Sequence, residues 1–246
     1  MVLCAVRVGA AQVSGGTAAT NPVPRVEAWW VARHYDKVAE ARRGGVDLLF
    51  VGDSITENYE KTGPAPDEAF RPVWDEFFSG HRAMNLGFSG DDTEHVLWRL
   101  EHGEVEGIRP RDVVLLIGTN NTARGQRADE VAGGVIAVVE ALKTRLPGAR
   151  VLVLGILPSG ISAEKSAADA RVNALVAARY AGAKDVRTLD LSGYFMRDGA
   201  LDAELFYDPR LHPAKAPLHP DVVGQRRMAR AVAEALFGPL ERAPGN

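Results

Sequence analysis

The sequence predicts an α/β fold: a parallel five-stranded sheet covered by helices on both faces. Two observations carry this expectation. Five short runs, at 46–51, 83–88, 113–117, 151–156 and 186–191, read as strands, and most of them are nearly continuous in Val, Leu and Ile, as strands buried on both faces require. Longer amphipathic segments separate them, and strand alternating with helix leads to a parallel, three-layer arrangement with right-handed crossovers.

The elements follow in order. Residues 25–42 read as a helix preceding the first strand, VDLLFV at 46–51. A helix over 66–78 leads to the second strand at 83–88, and one over 93–104 leads to VVLLI at 113–117. In the next helix, 128–146, Val131, Val135, Val138, Val139 and Leu142 recur at spacings of three and four, and Pro147-Gly148 stops the run. VLVLGI at 151–156 is followed by an Ala-rich helix at 163–181, the fifth strand, and a last helix from near 220 to about 237. Residues 25–240 read as one domain, since no linker-like shift in composition divides them.

Composition narrows the functional classes. The 246 residues carry 29 Lys+Arg against 32 Asp+Glu, a formal net charge of −3, with 46% hydrophobic and 25% charged residues. These values argue against disorder, collagen and coiled coil. A near-neutral balance without a basic block lacks the electrostatic footprint of a nucleic-acid binder. No apolar run approaches the ~20 residues of a membrane-spanning helix. Cys4 is the only cysteine, so the chain forms no internal disulfide or Cys-rich metal site. Residues 1–24 leave two readings open: a flexible N-terminal arm, or a signal-peptide remnant with Ala10-Ala11 near its cleavage site. A secreted or periplasmic location is preferred over a cytoplasmic one.

In open α/β sheets the ligand crevice lies at the carboxyl ends of the strands. Gly52-Asp53-Ser54 follows the first strand, Ser89-Gly90-Asp91-Asp92 the second, and Gly118-Thr119-Asn120 the third, while His212 and His219 precede the last helix. Together these segments supply a hydroxyl, a small-residue turn, a carboxamide and an imidazole. Acyl transfer needs such a set: a nucleophile, a base, and donors aimed at the oxyanion. Each residue also has a structural alternative. Ser54 can cap a helix, Gly90 can serve a turn needing positive φ, and Asn120 can cap the next segment. His34, His81, His95 and His102 read as surface or packing residues. Asp91-Asp92 would attract a cation, but no cluster of ligand spacing accompanies the pair.

These segments resemble the four blocks of the SGNH (GDSL-type) hydrolases: Gly52-Asp53-Ser54, Gly90-Asp91, Gly118-Thr119-Asn120 and His219. Pro24-Arg25, Trp29-Trp30, Arg33-His34 and His95-Val96-Leu97-Trp98-Arg99-Leu100 are similar to the branch related to platelet-activating-factor acetylhydrolase catalytic subunits. The resemblance implies a flavodoxin-like three-layer α/β/α sandwich needing no metal or cofactor. It implies Ser54 as nucleophile and an oxyanion hole formed by the Ser54 N–H, the Gly90 N–H and the Asn120 side chain. Asp53 would hold the nucleophile turn, and a homodimer is plausible.

The family usually places an Asp three residues before its catalytic His. His219 has the expected context, with Leu218 before it, Pro220 after it and Gly224 five residues on, but Ala216 stands where the Asp should be. His212 has Asp208 four residues upstream, yet Pro217 occupies its fifth following position. Residues 208–217 therefore read as an insertion or rebuilt loop, with His219 as base and Asp208 as the acid that orients it. The alternative is a backbone carbonyl in that role and a Ser–His dyad. The expected activity is a serine esterase removing a small acyl group, acetyl, from a carbohydrate, a lipid or another small alcohol. The competing readings are a non-catalytic binding or scaffold protein, disabled by the missing Asp at Ala216, and a thioesterase or lysophospholipase with the same serine chemistry.

Overall fold

The computed structural model describes residues 17–63 and 68–240. Cys4 and the signal-peptide reading of the first residues lie outside the described residues. The chain runs α1 (Ala28–Arg42), β1 (Leu48–Gly52), α2 (Ser54–Glu57), α3 (Arg71–Phe77), β2 (Ala83–Gly87), α4 (Thr93–Glu101) and β3 (Asp112–Leu116). It continues through α5 (Thr119–Ala123), α6 (Ala128–Arg145), β4 (Arg150–Leu154), α7 (Ala163–Tyr180), β5 (Val186–Leu189) and α8 (Val222–Phe237). A two-stranded ribbon, β6 (Met196–Arg197) with β7 (Ala200–Leu201), precedes α8.

The five main strands form one parallel sheet in the order β2-β1-β3-β4-β5. The order reverses between β1 and β3, so the loops after those strands diverge and open a crevice at their carboxyl ends. Side chains of each strand alternate between two cores. Leu49, Val51, Val113 and Leu115 meet α4, α6 and α7 on one face, where the five predicted positions of α6 are all buried. Leu48, Phe50, Val114 and Leu116 meet Val73, Trp74 and Phe77 of α3 and Met228 and Val232 of α8 on the other. Burying each of these side chains contributes about 1.5–3 kcal/mol, which makes the three layers one cooperative body.

Two further features bear on how the elements pack. The helix expected over 66–78 begins only at Arg71, because Ala69 is engaged in a bridge with Thr62 and Pro72 favours a first-turn position. Part of the segment before Pro24 also packs against the body. Ala18–Thr20 forms a 3-10 turn, Ala19 is buried, and its carbonyl accepts the Thr93 hydroxyl at 2.8 Å. Small residues there permit close packing, since Gly134 of α6 faces the Ala19 carbonyl.

Helix α2, which begins at Ser54, lies directly against the end of β2. A Cβ at Gly87 would sit 2.1 Å from the Glu57 amide nitrogen, and the Asn85 side chain donates 2.7 Å to the Thr56 carbonyl. Gly87→Ala should therefore destabilise the fold by roughly 1–3 kcal/mol through overpacking. Urea denaturation measures this, and an unchanged midpoint would contradict the close approach.

Candidate active site

Ser54 follows Gly52-Asp53 at the end of β1 and opens α2. The cap of this helix is Asp53: its Oδ1 accepts the Ile55 N–H at 3.0 Å. That frees the Ser54 hydroxyl, which lies 3.0 Å from His219 Nε2. Asp53 is buried, and its Oδ2 has no hydrogen-bond partner among the described residues. Burial pushes its carboxyl up to about 7, against the pull of the Ile55 amide and the charges of His219 and Lys165.

His219 and Asp208 are eleven residues apart in sequence but neighbours in space. The Tyr207 amide donates to the His219 carbonyl at 3.2 Å, the Asp221 amide donates to the Leu205 carbonyl at 2.8 Å, and Phe206 bridges Pro220 in antiparallel sense. Residues 205–207 and 219–221 thus form the stem of a hairpin, with 208–218 as its loop. The stem sets Asp208 Oδ1 at 2.7 Å from His219 Nδ1. Asp208 Oδ2 accepts the backbone amides of Leu218 at 2.9 Å and His219 at 2.5 Å. Burial works to raise this carboxyl, but the His219 ring and the two amides outweigh it and hold Asp208 below its ordinary range. An ionised Asp208 selects the tautomer with hydrogen on Nδ1, leaving Nε2 to accept the Ser54 proton. Tyr207 stacks on the imidazole, with ring centroids 5.5 Å apart. His212 is exposed in the loop, away from this chain of bonds.

The turn after β2 forms the facing wall. Gly90 has φ +80°, a left-handed conformation that favours glycine, and its N–H has no acceptor among the described residues. One N–H of the Asn120 carboxamide donates 2.8 Å to the Asp91 carbonyl; the other has no acceptor among the described residues. The Asp91 carboxylate accepts Trp30 Nε1 at 2.7 Å and Arg99 Nε at 2.8 Å, with Arg25 at 3.4 Å. Arg99 is fully buried, also pairs with Glu104, and lies 3.9 Å from the centre of the Phe88 ring. Asp92 pairs with Arg124. The two acidic residues read in sequence as a cation lure are thus held by arginines. His95 closes the first turn of α4, where its Nδ1 accepts the Asp92 N–H at 2.9 Å; burial lowers it to about 4.

Of the residues singled out from sequence, Ser54, His219 and Asp208 are joined in one hydrogen-bonded chain, and Asn120 is tied through the Asp91 carbonyl to the turn that carries Gly90. Sequence reasoning passed over Arg25, Arg99, Lys165 and Asp169; Arg25 and Arg99 lie within the resembling stretches, and the other two carried no local signal. The family model for the GDSL-like lipase/acylhydrolase family matches residues 50–227. The chain belongs to this family. It is 36% identical over 218 residues to platelet-activating factor acetylhydrolase IB subunit alpha1 of Bos taurus, covering 88% of this chain and 86% of the relative. It is 34% identical over 217 residues to the alpha2 subunit of Rattus norvegicus, with 87% and 86% covered. Among solved structures it is similar to a GDSL-like lipase from Bacteroides thetaiotaomicron, with TM-score 0.60, 19% identity, and 83% of this chain and 96% of that chain covered. An acetyl-xylooligosaccharide esterase from Geobacillus gives TM-score 0.58 at 19% identity, with 82% and 98% covered. As a GDSL-like acylhydrolase, the chain is a carboxylic ester hydrolase.

The Asp53 carboxyl has a thermodynamic consequence. It binds its proton more tightly folded than unfolded, so stability is lost as pH rises from its ordinary 3.8 to about 7. Asp53→Asn keeps an acceptor for Ile55 but cannot ionise. Its stability relative to the parent should rise by up to about 1.4 kcal/mol per pH unit across that window. Urea denaturation of both proteins at pH 4, 5.5 and 7 checks this, and a pH-independent difference would count against it.

Proposed function

We propose that this hydrolase removes a small acyl group, acetyl, from a hydroxyl of a carbohydrate, lipid or other small alcohol through an acyl-enzyme on Ser54. The observation that carries the reading is the unbroken hydrogen-bonded chain at the strand ends, Ser54 Oγ to His219 Nε2 at 3.0 Å and His219 Nδ1 to Asp208 at 2.7 Å. His219 takes the Ser54 proton as Oγ attacks the ester carbonyl, and Asp208 stabilises the imidazolium that results. Negative charge develops on the carbonyl oxygen toward the Ser54 and Gly90 amides and the free N–H of Asn120. Each such donor is worth ~2.7–4 kcal/mol in the transition state. The tetrahedral intermediate collapses, His219 returns the proton to the departing alkoxide, and the alcohol leaves. Water, deprotonated by His219, then attacks the acyl carbon, and a second collapse releases the carboxylic acid and restores Ser54.

The acetyl assignment draws support from relatives named acetylhydrolases and from a structural neighbour named an acetyl-xylooligosaccharide esterase. The scaffold reading rested on Ala216 standing in place of an acid; the hydrogen bond between Asp208 and His219 supports the catalytic reading over it.

Ser54→Ala should abolish hydrolysis of p-nitrophenyl acetate and labelling by a fluorophosphonate while the melting temperature holds. Asp208→Asn should lower kcat by on the order of 10³–10⁴, whereas His212→Ala should leave it essentially unchanged; a large loss in His212→Ala would reassign the base. Rates measured from acetate to palmitate esters should fall steeply with chain length. A maximum at long chains would favour a lysophospholipase, and faster turnover of acyl thioesters a thioesterase.

A further inference from the structure

Two threonines flank Asn120 in α5, and both are gripped from α7. Lys165 Nζ donates to Thr119 Oγ1 at 3.0 Å and to Asp169 Oδ2 at 2.6 Å. Asp169 Oδ1 in turn accepts the Thr122 hydroxyl at 2.6 Å. The two charged side chains are 2% and 4% exposed, so the ion pair sits in the interior behind the crevice. Burying such a pair gains little net stability over apolar residues of similar size. What it supplies is geometry, because α5 is a helix of five residues, too short to hold its own conformation. On its other side α5 is held through Asn121, which accepts the Thr93 amide at 3.1 Å and donates to Glu94 at 3.0 Å. Held on both sides, α5 cannot turn about its axis without breaking one set of bonds.

We propose that Lys165 and Asp169 are positioning residues for the reaction: their ion pair, through Thr119 and Thr122, sets the direction in which the Asn120 carboxamide meets the oxyanion. This rests on the reading of Asn120 as an oxyanion donor. Neither charged group touches the substrate. The pair acts by preventing a displacement of the donor, and about 1 Å of misplacement near a reacting centre costs on the order of 10²-fold in rate.

The test is a cycle of variants assayed with p-nitrophenyl acetate. Lys165→Met with Asp169→Leu removes both charges together, leaving no unpaired ion. Its kcat should fall by roughly 10–100-fold with KM within about twofold. Thr119→Val should reproduce part of the loss, and Thr119→Ser, which keeps the hydroxyl, should restore it. In an Asn120→Ala background the charge-removing pair should change kcat by less than about twofold, because the donor it positions is gone. The same fold-loss in both backgrounds, or an undiminished kcat in a double variant that melts like the parent, would overturn the proposal. Should the double variant fail to fold, Thr119→Val and Thr119→Ser decide alone: no loss, or a loss that serine does not restore, overturns it. If Asn120→Ala itself loses no activity, the oxyanion reading fails and the positioning role falls with it, while an additive result after a real Asn120→Ala loss rejects only the positioning role.

Discussion

The wall that carries Gly90 and Asn120 depends on one buried carboxylate, Asp91. A charge removed from water must find partners or be neutralised, and Asp91 finds them in Trp30 of α1 and Arg99 of α4, with Arg25 at the edge. Its backbone carbonyl meanwhile holds the Asn120 side chain. Satisfying this one residue therefore joins α1, α4 and α5 around the turn that carries Gly90. The chain of obligations continues outward: Arg99 is shared with Glu104, and Glu104 bonds His34 at 2.9 Å. Removing one member would leave an unpaired interior charge, at a cost of about 3–5 kcal/mol.

The acid–base wall is held by different physics. There the framework is backbone pairing, with 205–207 against 219–221, and the single carboxylate of Asp208 fills both the ring nitrogen and two amides. Such a stem fixes its two ends and leaves its loop free to vary in length and sequence. Pro217 nevertheless touches the neighbouring loop, where its carbonyl accepts the Gly160 amide at 2.7 Å. Between the walls, α2 is seated by contact rather than by charge, its backbone pressed against Gly87. Ser54, the His219–Asp208 pair and the Gly90–Asn120 wall thus rest on three separate supports.

Much of the fold was legible because parallel strands covered on both faces must be apolar at successive positions. All five runs became strands, with ends shifted by a few residues, as from 46–51 to Leu48–Gly52. The helical period of 128–146 appeared as Ala128–Arg145 with its five marked positions buried. Less legible were segments whose order comes from distant partners. Nothing local to Ala18–Thr20 announces that Thr93 and Gly134 will receive it. Ser54 also looked able to cap its own helix, until Asp53 took that place and left the hydroxyl to His219.

The sequence by itself determined the layered sheet, the strand ends where chemistry would gather, and the residue types present there: a serine, a carboxamide, a glycine turn and two histidines. These follow from periodicity and from neighbours along the chain, which one strand or helix suffices to express. Sequence context favoured His219 and Asp208, but only tertiary structure sets the ring against Ser54 and the acid against the ring, and it alone decided which buried charges hold α5. The family's usual spacing puts the acid at position 216, where Ala216 stands, whereas the hairpin stem brings Asp208 to His219 across an eleven-residue gap. Contacts of that kind are closed by backbone pairing and by the pairing of buried charges between remote segments, so no local pattern records them.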